Sequence, residues 1–355
     1  MSEVKKGGDK NILAFPIYLN INQGIDWRRS MEKSLRNKIA IFCALGASTS
    51  FSLNDAIIKL LSPEYPLHQI VLTRSVIAIT ITLSVFVQYE GGFSKLKTGR
   101  PFLHISRGLA IVCANVAFFA GLAIIPIGTA VSIFFVAPLL ITIFSAVFLK
   151  EHVNLVRWVL LIIGLGGVFL IVKPGTTQFQ WAYLLPILAA ICYAITNTLT
   201  RSVGLTESAS ALSFYIQIMF LVVSGTMSLV LWDGSYNIST NQSIDFLTRG
   251  WKTPTGIALV FFPLIGICTA LAGFLVSQAY RYGEAGLVTP FEYTALVLSI
   301  FWGYLIWGEI PGIVSALGML LILGSGVYVL FLEAKLDIRI GILRKLKTIW
   351  QRFSL

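Results

Sequence analysis

The feature that most constrains this chain is a series of apolar runs, each approaching or exceeding the roughly 20 residues that a helix needs to cross a bilayer. Hydrophobic residues make up 56% of the 355 positions and charged residues only 12%, about half the share of an ordinary soluble domain. The runs are continuous rather than alternating, which argues against a β-barrel. The predicted fold class is therefore an all-α polytopic membrane protein.

Apolar runs set against loop signals predict ten transmembrane helices. We expect these spans at 38–60, 67–88, 102–122, 127–149, 155–173, 180–201, 210–231, 256–280, 286–307 and 312–332. Most connections are short, so neighbouring spans should be antiparallel, and the exception is the long polar stretch 232–255. Residues 1–37 are expected to be a cytoplasmic N-terminal segment and 333–355 a basic cytoplasmic tail.

The basic residues set the predicted orientation. With the N-terminus inside, 21 of the 27 Lys and Arg residues fall in cytoplasmic segments, four fall outside and two lie within spans. The positive-inside rule then places both termini in the cytoplasm of a multi-pass inner-membrane protein. The net charge of +11 is thus explained by loop charge, and we expect no nucleic-acid partner. The basic tail favours either an interfacial helix on anionic lipid or a solvated segment.

The sequence also repeats itself. A shift of 158 residues overlays GTAVSIFFVAPLLITIFSAVFLKE on GLVTPFEYTALVLSIFWGYLIWGE, so that Glu151 falls on Glu309. A shift of 142 residues places the first span on the sixth, with Asp55 over Asn197. Each half would then contain five spans, 38–173 and 180–332, and because five is odd the halves would be inverted. Inverted-topology repeats recur in secondary transporters, whose substrate site lies near the midplane between them.

At these residues the chain resembles ten-helix, EamA-type members of the drug/metabolite transporter superfamily. The resemblance covers about 38–332 and rests on two blocks, AFFAGLAIIPIGTAVSIFFVAPLLITIFSAVFLKEHV and AYRYGEAGLVTPFEYTALVLSIFWGYLIWGEIP. It implies alternating access and a central cavity lined mainly by spans 1, 3, 4, 6, 8 and 9. RPFLHISRGL and NDAIIKLLSPEYPLHQIVLTRS are similar to branches that take up S-adenosylmethionine or import riboflavin, and many other members export amino acids or their derivatives.

Several polar residues lie inside predicted spans, where ionisable groups are costly and are kept mostly where they face protein or water. Asp55 and Asn54 lie one turn before Lys59 in the first span. Asp55 either forms a local ion pair with Lys59, or Asp55 and Asn54 share a cavity face with Asn197. Arg74 has no acidic residue within reach on its own helix, so its partner should be Asp55 or an anionic group of a substrate.

Glu292 follows Pro290, which can open the ninth span locally. We expect this carboxylate to accept a proton or to hold a cationic group of a substrate. The alternative is a helix N-terminal carboxylate that complements the macrodipole and pairs with Arg281. In the third span, Arg107 is expected to snorkel outward, whereas Asn115, two turns deeper, should line the cavity.

The hairpin residues Glu151 and Glu309 are expected to have a structural or gating role, such as capping the helix that follows each of them. Pro138 and Pro290 are assigned to the same class. Aromatic side chains should line part of the cavity and bind a planar or cationic ligand; the candidates are Phe119, Phe134, Tyr193, Tyr280, Phe291 and Tyr293. Glycines of the fifth and tenth spans are expected to mark close packing between helices or protomers.

These observations predict a secondary-active or facilitative transporter that moves a small organic metabolite across the inner membrane by alternating access. Candidate substrates are S-adenosylmethionine, riboflavin, and amino acids or their derivatives. A proton or a counter-substrate is a candidate coupling partner, and a homodimer is a candidate assembly. An intramembrane enzyme or a channel is the alternative. We expect no catalytic residue, metal or cofactor, because the three histidines are scattered and hydrolase and nucleotide-binding motifs are missing.

Overall fold

The computed structural model describes residues 15–89, 92–148, 155–177, 179–203, 209–237, 241–282, 288 and 291–328. It gives the backbone alone for 15–34, 86, 89, 95, 145, 157, 201–203, 209–210, 277 and 280–281. The regular elements in these ranges are helical. In chain order the helices are α1 Phe15–Leu61, α2 Leu67–Ile81, α3 Pro101–Leu122, α4 Ile127–Phe134, α5 Ala137–Phe148, α6 Leu155–Val172, α7 Leu184–Val203, α8 Ala209–Val230, α9 Gln242–Thr248, α10 Ala258–Tyr282, α11 Thr294–Trp307 and α12 Ile313–Tyr328.

Short irregular pieces extend these helices. α2 continues through a π-helical turn, Thr82–Phe86, to a final turn at Val87–Tyr89. A 3₁₀ turn at Trp181–Tyr183 leads into α7. At the N-terminus, α1 begins at Phe15, well before the predicted start of the first span.

The described chain is all-helical, and the length and apolar composition of its helices are those of a membrane protein. Among the described residues, seven helical stretches are long and apolar enough to cross a bilayer: Leu35–Leu61, Leu67–Val85, Pro101–Leu122, Ile127–Phe148, Trp181–Thr200, Ala211–Val230 and Ala258–Val276. Shorter apolar helices lie within the predicted fifth, ninth and tenth spans: Trp158–Val172, Thr294–Trp307 and Ile313–Tyr328. Large apolar side chains point outward along the bundle, among them Phe42, Phe102, Phe169, Leu229 and Ile313.

The fourth predicted span is two helices rather than one. α4 ends at Phe134, a turn occupies Phe135 and Val136, and α5 begins at Ala137. The physical reason is Pro138, which has no N–H to donate to the carbonyl of Phe134 and whose ring clashes with that carbonyl. The sequence prediction of a continuous helix over 127–149 was therefore wrong at its centre.

The ninth predicted span is also interrupted. Phe291 and Glu292 are helical, Tyr293 is a turn, and α11 begins only at Thr294. The 158-residue shift carries the break in the fourth span onto this one, whereas Pro290 lies outside the described residues. Glu292 is thus at a helix break and not simply at the start of a continuous helix.

The packing of the helices places these two breaks inside the bundle. α10 packs along α1, and α7 packs along α3. α2 contacts α8 and α10, α8 contacts α3, and α4 contacts α7 and α11. The main apolar core lies among these helices and includes side chains with almost no exposed surface, such as Ile58, Ile70, Leu122, Ile127 and Ile265.

The polar stretch after α8 folds back over one end of the bundle, which we call the loop end. Ser243 Oγ in α9 donates to the carbonyl of Ala120 at 2.5 Å, and Phe246 is inserted into the core. Arg249 donates to the carbonyl of Pro63 at 2.6 Å and pairs with Asp245. The Arg249 guanidinium holds the pKa of Asp245 below its usual range, so this carboxylate is charged at neutral pH.

Two glycines bring α6 and α12 into direct contact within the chain. A Cβ added to Gly167 would lie 2.6 Å from the carbonyl oxygen of Gly318, and the reverse holds for Gly318. The next glycine, Gly166, has no atom within 4 Å of the corresponding Cβ position. One pair of the predicted close-packing glycines therefore joins two helices of the same chain.

We expect Gly167→Ala to destabilise the protein, whereas Gly166→Ala should not. The added methyl of the former meets backbone rather than a movable side chain, so α6 and α12 must separate, at a cost of about 1–3 kcal/mol. Alanine raises helix propensity equally at both sites, which makes Gly166→Ala the matched control. Thermal melting of the purified variants in one detergent measures the difference, and equal melting temperatures would contradict the close contact.

Candidate functional site

At the loop end, an ion pair joins the first span to the end of the ninth. Lys59 Nζ lies 2.6 Å from Glu309 Oε1, donates to the carbonyl of Ile125 at 3.0 Å, and sits 4.9 Å from the ring centroid of Trp307. Glu309 Oε2 accepts the N–H of Ile127, the first residue of α4, at 3.0 Å. One carboxylate therefore binds a cation and caps a helix N-terminus at once.

This arrangement corrects two sequence interpretations. Lys59 pairs with Glu309 rather than with Asp55, because α11 ends beside α1 and brings the carboxylate of Glu309 to it. The helix that Glu309 caps is α4, which belongs to the other predicted half, and not the helix that follows it in the chain. Glu151, its counterpart, lies outside the described residues.

Asp55 lies deeper in α1 and is only partly exposed. Asn54 Nδ2 donates to Asp55 Oδ1 at 3.3 Å, and Asn54 Oδ1 accepts from Thr269 Oγ1 of α10 at 3.2 Å. Asp55 and Asn197 were expected to meet, but in the described structure no hydrogen bond joins them. Asn197 donates to the carbonyl of Tyr193 one turn back at 2.9 Å, a local bond that such side chains readily form inside a helix.

Arg74 is buried where α2, α3 and α8 meet. Its Nη2 donates to Asn115 Oδ1 at 3.0 Å. The guanidinium carbon lies 5.6 Å from the ring centroid of Phe119 and 5.2 Å from that of Phe220, within the range of cation–π attraction. Asp55, one of the partners expected from the sequence, has no hydrogen bond to Arg74 in the described structure; its Oδ1 accepts from Asn54 instead.

Arg107 does not snorkel outward. The side chain is 3% exposed, and Nε donates to Thr200 Oγ1 of α7 at 2.8 Å. The sequence prediction was wrong because a hydroxyl acceptor on a neighbouring helix compensates the cost of burying the guanidinium. The local sequence of α3 does not show that this acceptor will be there.

A continuous row of aromatic rings leads away from Arg74. Phe119 contacts Phe118, Phe118 contacts Phe134, and Phe134 contacts Tyr193, each pair with ring centroids 5.3 Å apart. We call these four residues the aromatic wall. Phe134 and Tyr193 are partly exposed, and Phe134 is the last residue before the break after α4. The wall therefore links the buried guanidinium to a helix break.

Glu292 lies near the far end of the aromatic wall, next to the second break. Tyr293 packs on Phe135 with ring centroids 4.8 Å apart, so the two breaks contact each other. Ser48 of α1 donates to the carbonyls of Phe291 at 3.2 Å and Glu292 at 3.4 Å.

Sequence reasoning missed several partners in this region. Thr269, Phe220 and Ser48 gave no signal, because each is an ordinary residue of an apolar helix until the fold brings it to a polar group. The predicted site residue Tyr280 is described only through its backbone. Within the described ranges, His, Cys, Asp and Glu side chains do not come together in groups of three or more that could hold a metal ion.

Comparison with known proteins identifies the family. The model of the EamA-like transporter family matches residues 38–173 and 180–332. The chain belongs to this family. Its members include drug/metabolite transporters, as the sequence resemblance predicted.

Relatives of this EamA-like protein are named as transporters rather than enzymes. The S-adenosylmethionine uptake transporter of Rickettsia felis is 29% identical over 81% of this chain and 90% of its own. The riboflavin transporter of Rhizobium johnstonii is 27% identical over 67% and 73%, and the pseudopaline exporter of Pseudomonas aeruginosa is 27% identical over 80% and 93%. A solved crystal structure with 19% identity matches with a TM-score of 0.54 over 86% of this chain and 98% of that one, a likeness of fold alone.

Proposed function

We propose that this EamA-like chain is a secondary-active or facilitative transporter that moves a small organic metabolite across the inner membrane by alternating access. The observation that carries the proposal is the contact between two helix breaks, at Phe135 and Tyr293, beside the partly exposed carboxylate of Glu292. Transporter sites are typically built from discontinuous helices near the midplane, where freed backbone groups and charged side chains face a cavity.

Support for ten spans in two inverted halves comes from the pairing of helix contacts. Suppose that each span of residues 38–173 corresponds to the span five places later in 180–332. Exchanging corresponding spans then turns the observed contact of α1 with α10 into the contact of α7 with α3, which is also observed. The same exchange turns the contact of α2 with α10 into that of α8 with α3, and the contact of α1 with α11 into that of α7 with α4, and both resulting contacts are observed. A two-fold relation between the halves accounts for this pairing, and it lets them rock against each other about the breaks.

In this proposal both termini are cytoplasmic, so the loop end faces the periplasm. The junction of Lys59, Glu309 and the N-terminus of α4 then closes the periplasmic side and must open in each transport cycle. The counterpart residues on the cytoplasmic side are Glu151 and Arg201. They lie in parts of the chain whose side chains are not described.

The proposed substrate cavity is bounded by the aromatic wall, Asp55 and Glu292. Aromatic faces suit a planar ring or an organic cation. S-adenosylmethionine, riboflavin and amino-acid derivatives have such groups, and the first two are the compounds for which two of the relatives are named. A proton carried by either carboxylate or a counter-substrate would couple the cycle, and a homodimer is the proposed assembly. The further residues assigned to this cavity are Asn54, Asn115, Asn197, Tyr280, Phe291 and Tyr293.

Counterflow in proteoliposomes tests this proposal. Vesicles loaded with unlabelled S-adenosylmethionine, or in parallel with riboflavin, are given the same labelled compound outside. A carrier accumulates label transiently because exchange through one alternating site is faster than net flux. We expect accumulation with at least one of the two compounds.

A further inference from the structure

The guanidinium of Arg74 has donor capacity that its neighbours do not use. An arginine carries five N–H donors, and here Nη2 is bonded to Asn115. Within the described part of the chain, Nε is buried without a hydrogen-bond partner. Buried polar atoms are nearly always satisfied, and a buried charge without a bonded counter-charge is costly. Among the buried side-chain atoms left without a partner in the described residues, this one is on a permanently charged group, so it is the one best suited to bind an anionic group.

The surroundings of Arg74 suit one end of a small ligand. Asn115 and Phe220, which both contact Arg74, line a small cavity between α2, α3 and α8. His68 and Ser224 also line it, but their polar atoms are bonded within the protein. On the other side, Phe119 begins the aromatic wall. An anionic group at the guanidinium would thus be continuous with a surface on which rings stack.

The planar fork of an arginine matches the two oxygens of a carboxylate. The carboxylate of Asp55 accepts from Asn54 Nδ2 at 3.3 Å and has no hydrogen bond to Arg74 in the described structure. Asp55 is thus not neutralised by direct contact with Arg74 and is available to a cationic group of a ligand. An α-amino acid carries its ammonium and its carboxylate on the same carbon, so one head group can bind a guanidinium and a carboxylate at once.

Building on the proposed transport function, we propose that Arg74 and Asn115 bind the carboxylate of an α-amino-acid head group while Asp55 receives its ammonium. The remainder of the substrate packs on the aromatic wall. Arg74 is 4% exposed, so the head group enters when α2, α3 and α8 separate during the cycle. Among the compounds transported by the relatives, this assignment selects S-adenosylmethionine, which has the head group, over riboflavin, which has none.

The test compares S-adenosylmethionine with its decarboxylated form. Binding of each labelled compound to the purified full-length protein gives a ratio of two affinities, which isolates the carboxylate. We expect the wild type to prefer S-adenosylmethionine by at least about tenfold, as expected for a site built to bond the missing group. In Arg74→Gln the ratio should fall to near one, and in Arg74→Lys it should fall only in part, because the charge remains without the fork.

Arg107→Gln is the matched control, since Arg107 is equally buried and bonded to a hydroxyl; the affinity ratio should stay at the wild-type value. If the Arg74 variants weaken both compounds equally, the residue is structural and the assignment is overturned. Equal binding of both compounds to the wild type overturns it as well. A chain that exchanges riboflavin in counterflow yet fails to bind S-adenosylmethionine is still a carrier, and only the head-group assignment falls.

Discussion

Lys59→Met is expected to lower the counterflow rate at least about tenfold. Lys59 and Glu309 have side chains 10% and 21% exposed, so the pair is partly buried. Removing one partner of a fully buried pair costs about 3–5 kcal/mol, and we expect at least about 1.4 kcal/mol here. This change destabilises the conformation in which the loop end is closed, because in that conformation the pair joins α1 to the end of α11. Since 1.4 kcal/mol is a factor of ten in an equilibrium, the closed conformation becomes rare and the cycle stalls.

Two companion variants make this prediction specific. Lys252→Met removes another lysine at the same end, but its side chain is 52% exposed and its pair with Glu64 spans 3.3 Å, so transport should change less than about twofold. The double variant Lys59→Met with Glu309→Gln should recover part of the lost rate, because no uncompensated carboxylate is left. Wild-type transport by Lys59→Met would show that the junction does not gate the cycle.

Glu292→Gln is expected to abolish most transport while leaving the folded protein intact. Glutamine keeps the shape and hydrogen-bonding reach of the side chain, so the melting temperature should change by only a few degrees. The charge beside the aromatic wall is lost, however, and with it the group proposed to hold a cationic group or a proton. We expect the counterflow rate to fall at least about tenfold, which is the effect of removing a charge-assisted interaction of about 1.5–3 kcal/mol.

The alternative role for Glu292 is a carboxylate that only complements a helix N-terminus. In that case Glu292→Gln would transport at the wild-type rate and lose only a few tenths of a kcal/mol of stability. Glu64→Gln serves as the control, because Glu64 is 61% exposed at the loop end and should be silent in both measurements. The repeat itself favours a specific role, since Phe134 occupies the matching position in the other half.

The sequence was sufficient for the broad class, a helical protein with several membrane-spanning segments. Long apolar runs predict spans because a bilayer leaves few alternatives to helices. Pro138 already marked the place where α4 and α5 separate, although the prediction kept one helix there. The overlay of two blocks singled out Glu309 as part of a repeated design and Glu292 as its exception.

The partners of these residues were beyond sequence reasoning. Lys59 and Glu309 are 250 positions apart, and which helix end meets which is decided by packing across the bundle. The local pattern instead suggested Asp55 as the partner of Lys59. The same reason explains Arg107, whose acceptor Thr200 lies on a different helix, and Arg74, which is held by the rings of Phe119 and Phe220 from two other helices.

The central claim, that this EamA-like chain is a carrier with one alternately exposed site, is tested most directly by trans-stimulation of the wild-type protein in proteoliposomes. Entry of labelled S-adenosylmethionine or riboflavin is measured as its concentration is raised, with and without the same compound inside. The account predicts entry that saturates and that rises several-fold when the inside is loaded. Entry that grows linearly with concentration and ignores the inner compound would contradict it and indicate a pore.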